Sequence, residues 1–251
     1  MNERSARRLA RLADTLAQGG SLRLADAAAL CGVSEMTIRR DLAAGDGELT
    51  LMGGHLVRAG DPRYAPVYDL DDQRDRQAAA KRRLCRRAVE RVEEGDTLFI
   101  DCGTTLMPLV AELANFRELT VVTYALNVAN AVARLPHLRL VLLGGVYHAS
   151  SQSFGDEAVD AAIARLGINR AFLSAAGLHP RHGLSCFHFH EVAPKRAAIA
   201  TAGERILVAD ATKLGVIRPA RFAELEEVDL LVTDAREGDM EGLQGPRVLH
   251  G

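Results

Sequence analysis

The sequence predicts an α/β protein in two parts, an N-terminal winged helix-turn-helix and, behind it, a larger domain built on a parallel sheet. Three observations carry that expectation. LRLADAAALCGVSEMTIRRDL, from Leu22 to Leu42, holds two short helical segments separated by Gly32. ELTLMGGHLV, just beyond, sets two apolar runs about a glycine pair, and from Thr97 onward short apolar runs alternate with helical stretches. The expected boundaries are residues 1–59 for the first domain, 60–73 for a linker and 74–251 for the second.

In the first domain, Asn2 is placed to cap a helix that carries Leu9, Leu12, Ala13 and Leu16 at helical spacing and stops at Gly19 and Gly20. Ala25 to Leu30 forms a second, apolar helix. Gly32 supplies the backbone conformation a tight inter-helix turn requires, and Val33 packs inward. Ser34 is a good N-cap for a third helix, with Glu35 in its first turn, where a carboxylate complements the helix dipole. Ile38 and Leu42, four apart, face the second helix. The opposite face, with Ser34, Met36, Thr37, Arg39 and Arg40, is left to meet phosphates and base edges in a major groove of double-stranded DNA. The glycines at 53 and 54 mark a tight hairpin, the wing.

GDPRYAPVYDLDD, from Gly60 to Asp72, has two prolines, several acids and no helical period, which suits a linker. A helix from Arg74 to Val92 follows, with Ala78, Cys85, Ala88, Val89 and Val92 on an apolar stripe. Its basic residues (Lys81, Arg82, Arg83, Arg86, Arg87, Arg91) read as a solvated face rather than as a DNA contact. Then come six apolar runs: TLFID, LTVVT, LRLVLLGG, AFLSAAG, RILVAD and DLLVTD. Asp101, Gly103, Thr104, Thr105, Thr123, Asn127, Gly144, Gly145, Gly177 and Asp210 stand at or just past their carboxyl ends, the edge where open α/β sheets bind ligands. DCGTT leads toward a helix, so its amides and hydroxyls suit an anion, phosphate in particular.

Composition narrows the classes. With 48% hydrophobic and 25% charged residues the chain buries a full core and is no disordered tail. A formal net charge of -2 leaves no global basic field, so DNA affinity is expected to come from local arginines: Arg4, Arg7, Arg8, Arg11, Arg39 and Arg40. The four cysteines form no CxxC pair, there is no apolar signal segment, and no run is long enough to span a membrane. A cytoplasmic, reduced protein is the expectation. Of 31 basic residues only Lys81, Lys195 and Lys213 are lysine. Lys213, after Asp210 in DATKLG, is placed to meet a sugar hydroxyl or phosphate. His179, His182, His188 and His190 cluster in sequence, and an extended FHF puts two of them on one face. No cysteine or carboxylate stands at standard ligand spacing, so no metal is expected, and Glu191 is read as hydrogen bonding a sugar hydroxyl.

VSEMTIRRDL, LMGGHLV, DCGTT, the asparagine of YALN, LLGGVYHAS, AFLSAAG and DATKLG together resemble the DeoR family of bacterial repressors over essentially the whole chain. The resemblance implies a winged-helix reader joined to a sensor domain similar to ribose-5-phosphate isomerase. It implies a repressor of a nucleoside or deoxyribose catabolic operon, released from its operator by a phosphorylated sugar, deoxyribose 5-phosphate foremost. It also implies that Asp101, Gly103, Thr104, Thr105, Asn127, Gly144, Gly145, Gly177 and Lys213 line the effector pocket. A homo-oligomer, dimer or larger, is expected because one reading helix confers little specificity.

The chain departs from the family where Leu49 to Met52 carries no arginine before the glycine pair, and where His188 and His190 replace other polar groups. Two alternatives stand beside this reading: another sugar phosphate as effector, or an active sugar-phosphate isomerase that uses Asp101, Asp210 or Glu191. The acid-rich segment expected of such isomerases is not evident. Binding without turnover, with no catalytic residue and no cofactor, is therefore the expectation.

Overall fold

A computed structural model describes residues 3–16, 22–45, 49–52, 55–58, 77–240 and 242–251. The chain divides into two compact units, Met1–Val67 and Tyr68–Gly251.

The first unit runs α1 (Glu3–Thr15), β1 (Leu22–Arg23), α2 (Leu24–Cys31), α3 (Glu35–Ala44), β2 (Leu49–Met52) and β3 (His55–Arg58). Asn2, Gly19, Gly20, Gly53 and Gly54, and the linker, lie outside the described residues. Strand β3 pairs antiparallel with β2, Met52 opposite His55, and with β1, Leu22 opposite Leu56. Leu12, Ala27, Ile38 and Leu56 are fully buried together, and Leu42 and Val33 pack against them. Each of the leucine and isoleucine side chains contributes about 1.5–3 kcal/mol on burial.

The second unit is a seven-stranded parallel sheet in the order β15-β14-β12-β9-β4-β5-β6. Its strands are β4 (Thr97–Ile100), β5 (Thr120–Thr123), β6 (Arg139–Leu142), β9 (Arg170–Ser174), β12 (Glu204–Val208), β14 (Leu230–Thr233) and β15 (Arg247–His250). Helices α4 (Ala78–Val89), α5 (Met107–Glu112), α6 (Leu126–Val132), α7 (Glu157–Ile163) and α8 (Val192–Thr201) supply the crossovers and layers. Phe99, Ile100, Val121, Phe172, Leu207 and Val232 are buried to 0% exposure, so strands covered on both faces read as continuous apolar runs.

Six of the seven strands correspond to the apolar runs of the sequence. The seventh, β15, was not expected. Nor were the hairpin β7 (Val146–His148) with β8 (Ser153–Gly155) and the small antiparallel sheet β10 (Gly177–His179), β11 (Gly183–Cys186) and β13 (Ala220–Ala223). Of the FHF segment, His188 is extended, and a 3-10 turn over Phe189–Glu191 follows it. The helix after DCGTT begins at Met107, with Leu106 as its N-cap, and is six residues long, continuing as a 3-10 turn over Leu113–Asn115.

Candidate functional sites

Gly32 adopts φ 64°, ψ 35° and closes α2, its N–H and that of Val33 returning to the carbonyls of Ala29 and Ala28. The chain then turns into α3. Ser34 caps it, its hydroxyl accepting from the amide of Thr37 at 3.3 Å, as its residue type predicts. Ile38 is fully buried, while Arg39 and Arg40 are exposed and Met36 is 71% exposed.

Asp41 anchors this helix to α1: it accepts from Ser5 Oγ at 2.8 Å and from Arg8 Nε at 2.7 Å. The Arg8 hydrogen bond holds the Asp41 carboxyl below its ordinary range. Arg8, expected among the DNA-contacting arginines, is thus engaged in holding the reading helix in place. Along α4 the basic face is also largely engaged. Arg83 pairs with Asp234, Arg86 with Glu112 and Arg87 with Glu90, and just past the helix Arg91 pairs with Glu204, at 2.6–3.4 Å.

In the second unit the carboxyl ends of β4, β9 and β11 converge on a cleft enclosing about 470 Å³ with its open mouth. Gly103, Thr104 and Thr105 form one wall, Ser174, Ala175 and Ala176 another, and Cys102, Cys186, Phe187 and Glu191 most of the remainder. All three lysines of the chain, Lys81, Lys195 and Lys213, complete the lining. Lys81 was read as part of a solvated basic face. It is instead 4% exposed, and its Nζ donates to Thr104 Oγ1 at 2.7 Å.

Asp101 lies beneath the cleft rather than in its lining. Fully buried, it forms an ion pair with Lys195 Nζ. Its oxygens also accept from the Ser174 amide at 2.9 Å, the Ser174 hydroxyl at 3.0 Å and the Tyr124 hydroxyl at 2.7 Å. Lys195 Nζ donates in turn to the Ser174 carbonyl at 3.0 Å and stands 5.0 Å from the Phe222 ring centroid. Burial pushes the Glu191 carboxyl up to about 7, against the pull of the Lys195 ammonium. The same desolvation raises the thiols of Cys102 and Cys186.

The cleft brings together Gly103, Thr104, Thr105, Glu191 and Lys213 of the residues singled out by sequence. Asn127, Gly144, Gly145 and Gly177 stand outside its lining. Asn127 is buried, donates to Met107 Sδ at 3.3 Å, and its Oδ1 has no hydrogen-bond partner among the described residues. Gly177 is a close-approach position: a Cβ there would meet the Val216 carbonyl oxygen at 2.5 Å. His148, on β7, stacks on His190 with ring centroids 3.6 Å apart, and His190 on His188 at 5.2 Å. No group of three or more metal-ligating side chains is placed to hold an ion among the described residues. No described helix is long and apolar enough to cross a membrane.

A winged helix-turn-helix carried on an α/β unit with a cationic cleft defines a DNA-binding regulator that has a small-molecule site. Residues 76–235 match the DeoR C terminal sensor domain and residues 8–51 the DeoR-like helix-turn-helix domain, so the chain belongs to the DeoR family of DNA-binding repressors. It is 40% identical over 234 residues to the deoxyribose operon repressor of Escherichia coli K12, covering 93% of this chain and 92% of the relative. It is also 32% identical over 203 residues to the glycerol-3-phosphate regulon repressor of the same organism, covering 81% and 80%. These relatives are named as repressors, not enzymes. Among solved structures, ribose 5-phosphate isomerase A from Methanocaldococcus jannaschii is similar at a TM-score of 0.42 and 16% identity, over 55% of each chain.

Proposed function

We propose that this protein represses a nucleoside or deoxyribose catabolic operon and is released from its operator by a phosphorylated sugar, deoxyribose 5-phosphate foremost. One observation carries the reading: in a chain that otherwise uses arginine, all three lysines line one cleft. A compact ammonium suits a small anion in a confined space, where the broader guanidinium fork does not fit as readily. In this proposal Lys213, Lys81 and the Gly103–Thr105 loop hold the phosphate, and Glu191 and Lys195 meet sugar hydroxyls. Asp101 acts through Lys195, fixing its ammonium.

On the DNA side, Ser34, Met36, Thr37, Arg39 and Arg40 form the reading face, in a homo-oligomer that engages repeated half-sites of double-stranded DNA. The effector binds better to a form with mispositioned reading heads, and operator affinity falls by the same coupling factor. Calorimetric titration with deoxyribose 5-phosphate, ribose 5-phosphate, glycerol 3-phosphate and a hexose phosphate tests the effector assignment. The expected order places deoxyribose 5-phosphate first. A hexose phosphate that binds while deoxyribose 5-phosphate does not overturns the narrow assignment and keeps the repressor class.

A further inference from the structure

Met36 is the second residue of α3, and Arg39 and Arg40 stand three and four residues further on, so the three side chains share one side of the helix. All three are exposed. The rotation of α3 is fixed from behind: Ile38 is fully buried, and Asp41, also buried, accepts from Ser5 Oγ and Arg8 Nε. Rolling the helix to cover Met36 would expose Ile38 and break both bonds to Asp41. The hydroxyls that flank Met36 are engaged with each other, Ser34 Oγ standing 3.0 Å from Thr37 Oγ1 and accepting from the Thr37 amide at 3.3 Å. The first turn of the helix therefore presents a flexible apolar side chain beside two guanidiniums.

We propose, resting on the reading face given above, that Met36 is a specificity-determining residue that recognises the C5-methyl group of a thymine in the operator half-site. The N-terminal residues of a reading helix are the ones that meet base edges in the major groove. A thioether carries no donor and only a weak acceptor, so it answers none of the hydrogen-bonding groups on those edges well. Thymine alone among the four bases adds a methyl group there. The Met36 side chain laid on that methyl withdraws apolar surface of both from water, and its rotatable bonds let it follow the position of the methyl. Arg39 and Arg40, on the same side of the helix, are left to phosphates and to the acceptors of guanine. Met36 thus separates thymine from a pyrimidine without the methyl, which no charge on this face does.

The test uses the full-length protein and a duplex selected in vitro by the wild-type chain. Each thymine is replaced in turn by deoxyuridine, which removes the methyl and leaves every hydrogen-bonding group in place. At one thymine position of the half-site, wild-type affinity is expected to fall about fourfold for each methyl removed, the worth of one buried apolar carbon. Met36→Ala is expected to bind the thymine duplex at least as weakly, to be indifferent to the replacement, and to keep the wild-type salt slope, since no phosphate contact is lost. Met36→Leu, apolar and of similar size, is expected to keep the discrimination. Wild-type affinity unaltered by deoxyuridine at every position, a selected half-site without thymine, or a loss of equal size in Met36→Ala overturns the contact. In that event Arg39→Ala and Arg40→Ala decide the wider question: weakened binding leaves the reading face standing without this contact, whereas unchanged affinity and salt slope in both remove the reading face with it.

Discussion

Replacing Lys195 by methionine removes the only ionic partner of the Asp101 carboxylate seen among the described residues, at a position where both side chains are at most 1% exposed. Methionine matches the length of the lysine stem, so the loss is one of charge rather than of volume. Breaking a buried pair by removing one partner costs about 3–5 kcal/mol, because the remaining charge stays out of water. Three donors remain on Asp101, the Ser174 amide and hydroxyl and the Tyr124 hydroxyl, which places the cost at the lower end, about 3 kcal/mol. In a unit of this size each kcal/mol moves the midpoint of thermal unfolding by roughly 2–4 °C, so a fall of about 6–12 °C is expected. Circular dichroism at pH 7 reads it, following the transition of the second unit. Combining Lys195→Met with Asp101→Asn removes the orphaned charge and is expected to recover most of the loss. A single substitution that lowers the midpoint by less than about 2 °C, or a double variant less stable than Lys195→Met, refutes the assignment of Asp101 and Lys195 as a coupled buried pair.

Arg40→Ala is expected to weaken operator binding and reduce its salt slope by about one counterion; an unchanged slope removes Arg40 from the DNA contacts. Lys213→Ala deletes a charged bond to the phosphate and is expected to raise the sugar phosphate concentration for half-release by roughly 10–100-fold, whereas a release curve that overlays wild type excludes that contact. Glu191, raised from its ordinary 4.5 to about 7 by burial, is protonated more readily in the fold than in the unfolded chain. Its contribution is therefore fully present below about pH 4.5 and is lost as pH climbs to about 7. Glu191→Gln is expected to abolish that slope and to exceed wild type at pH 8 by up to about 3 kcal/mol in urea unfolding; equal slopes count against the buried charge.

What the sequence makes legible follows the range of the interactions. Gly32 and Ser34 act through bonds only a few residues long, and Glu35 through the dipole of its own helix, so the turn and the start of α3 are readable from residue types. The strands of the sheet interior show as apolar runs because both faces are covered. The strand β15 escapes because GPRVLH offers only a short, largely exposed run behind a proline.

The site is legible only in part. Lys213 stood out as a lysine at a strand end, while Lys81 was hidden among arginines that make surface ion pairs. Its role depends on Thr104, 23 residues away, which local pattern does not reveal. Lys195 lies in the ordinary helical sequence VAPKRAAIAT. Only the adjacency of β4 and β9 brings Asp101 to Ser174, and only the packing of α8 brings Lys195 to both. The one signal in the sequence is the rarity of lysine itself, three among 31 basic residues, although rarity alone does not bring the three to one cleft.

The most direct test of the account is operator binding by the full-length protein, titrated with deoxyribose 5-phosphate at fixed salt. The account predicts a saturable loss of operator affinity, with the concentration dependence set by the calorimetric dissociation constant and the coupling factor. Deoxyribose 5-phosphate that occupies the protein yet leaves operator affinity unchanged would contradict it.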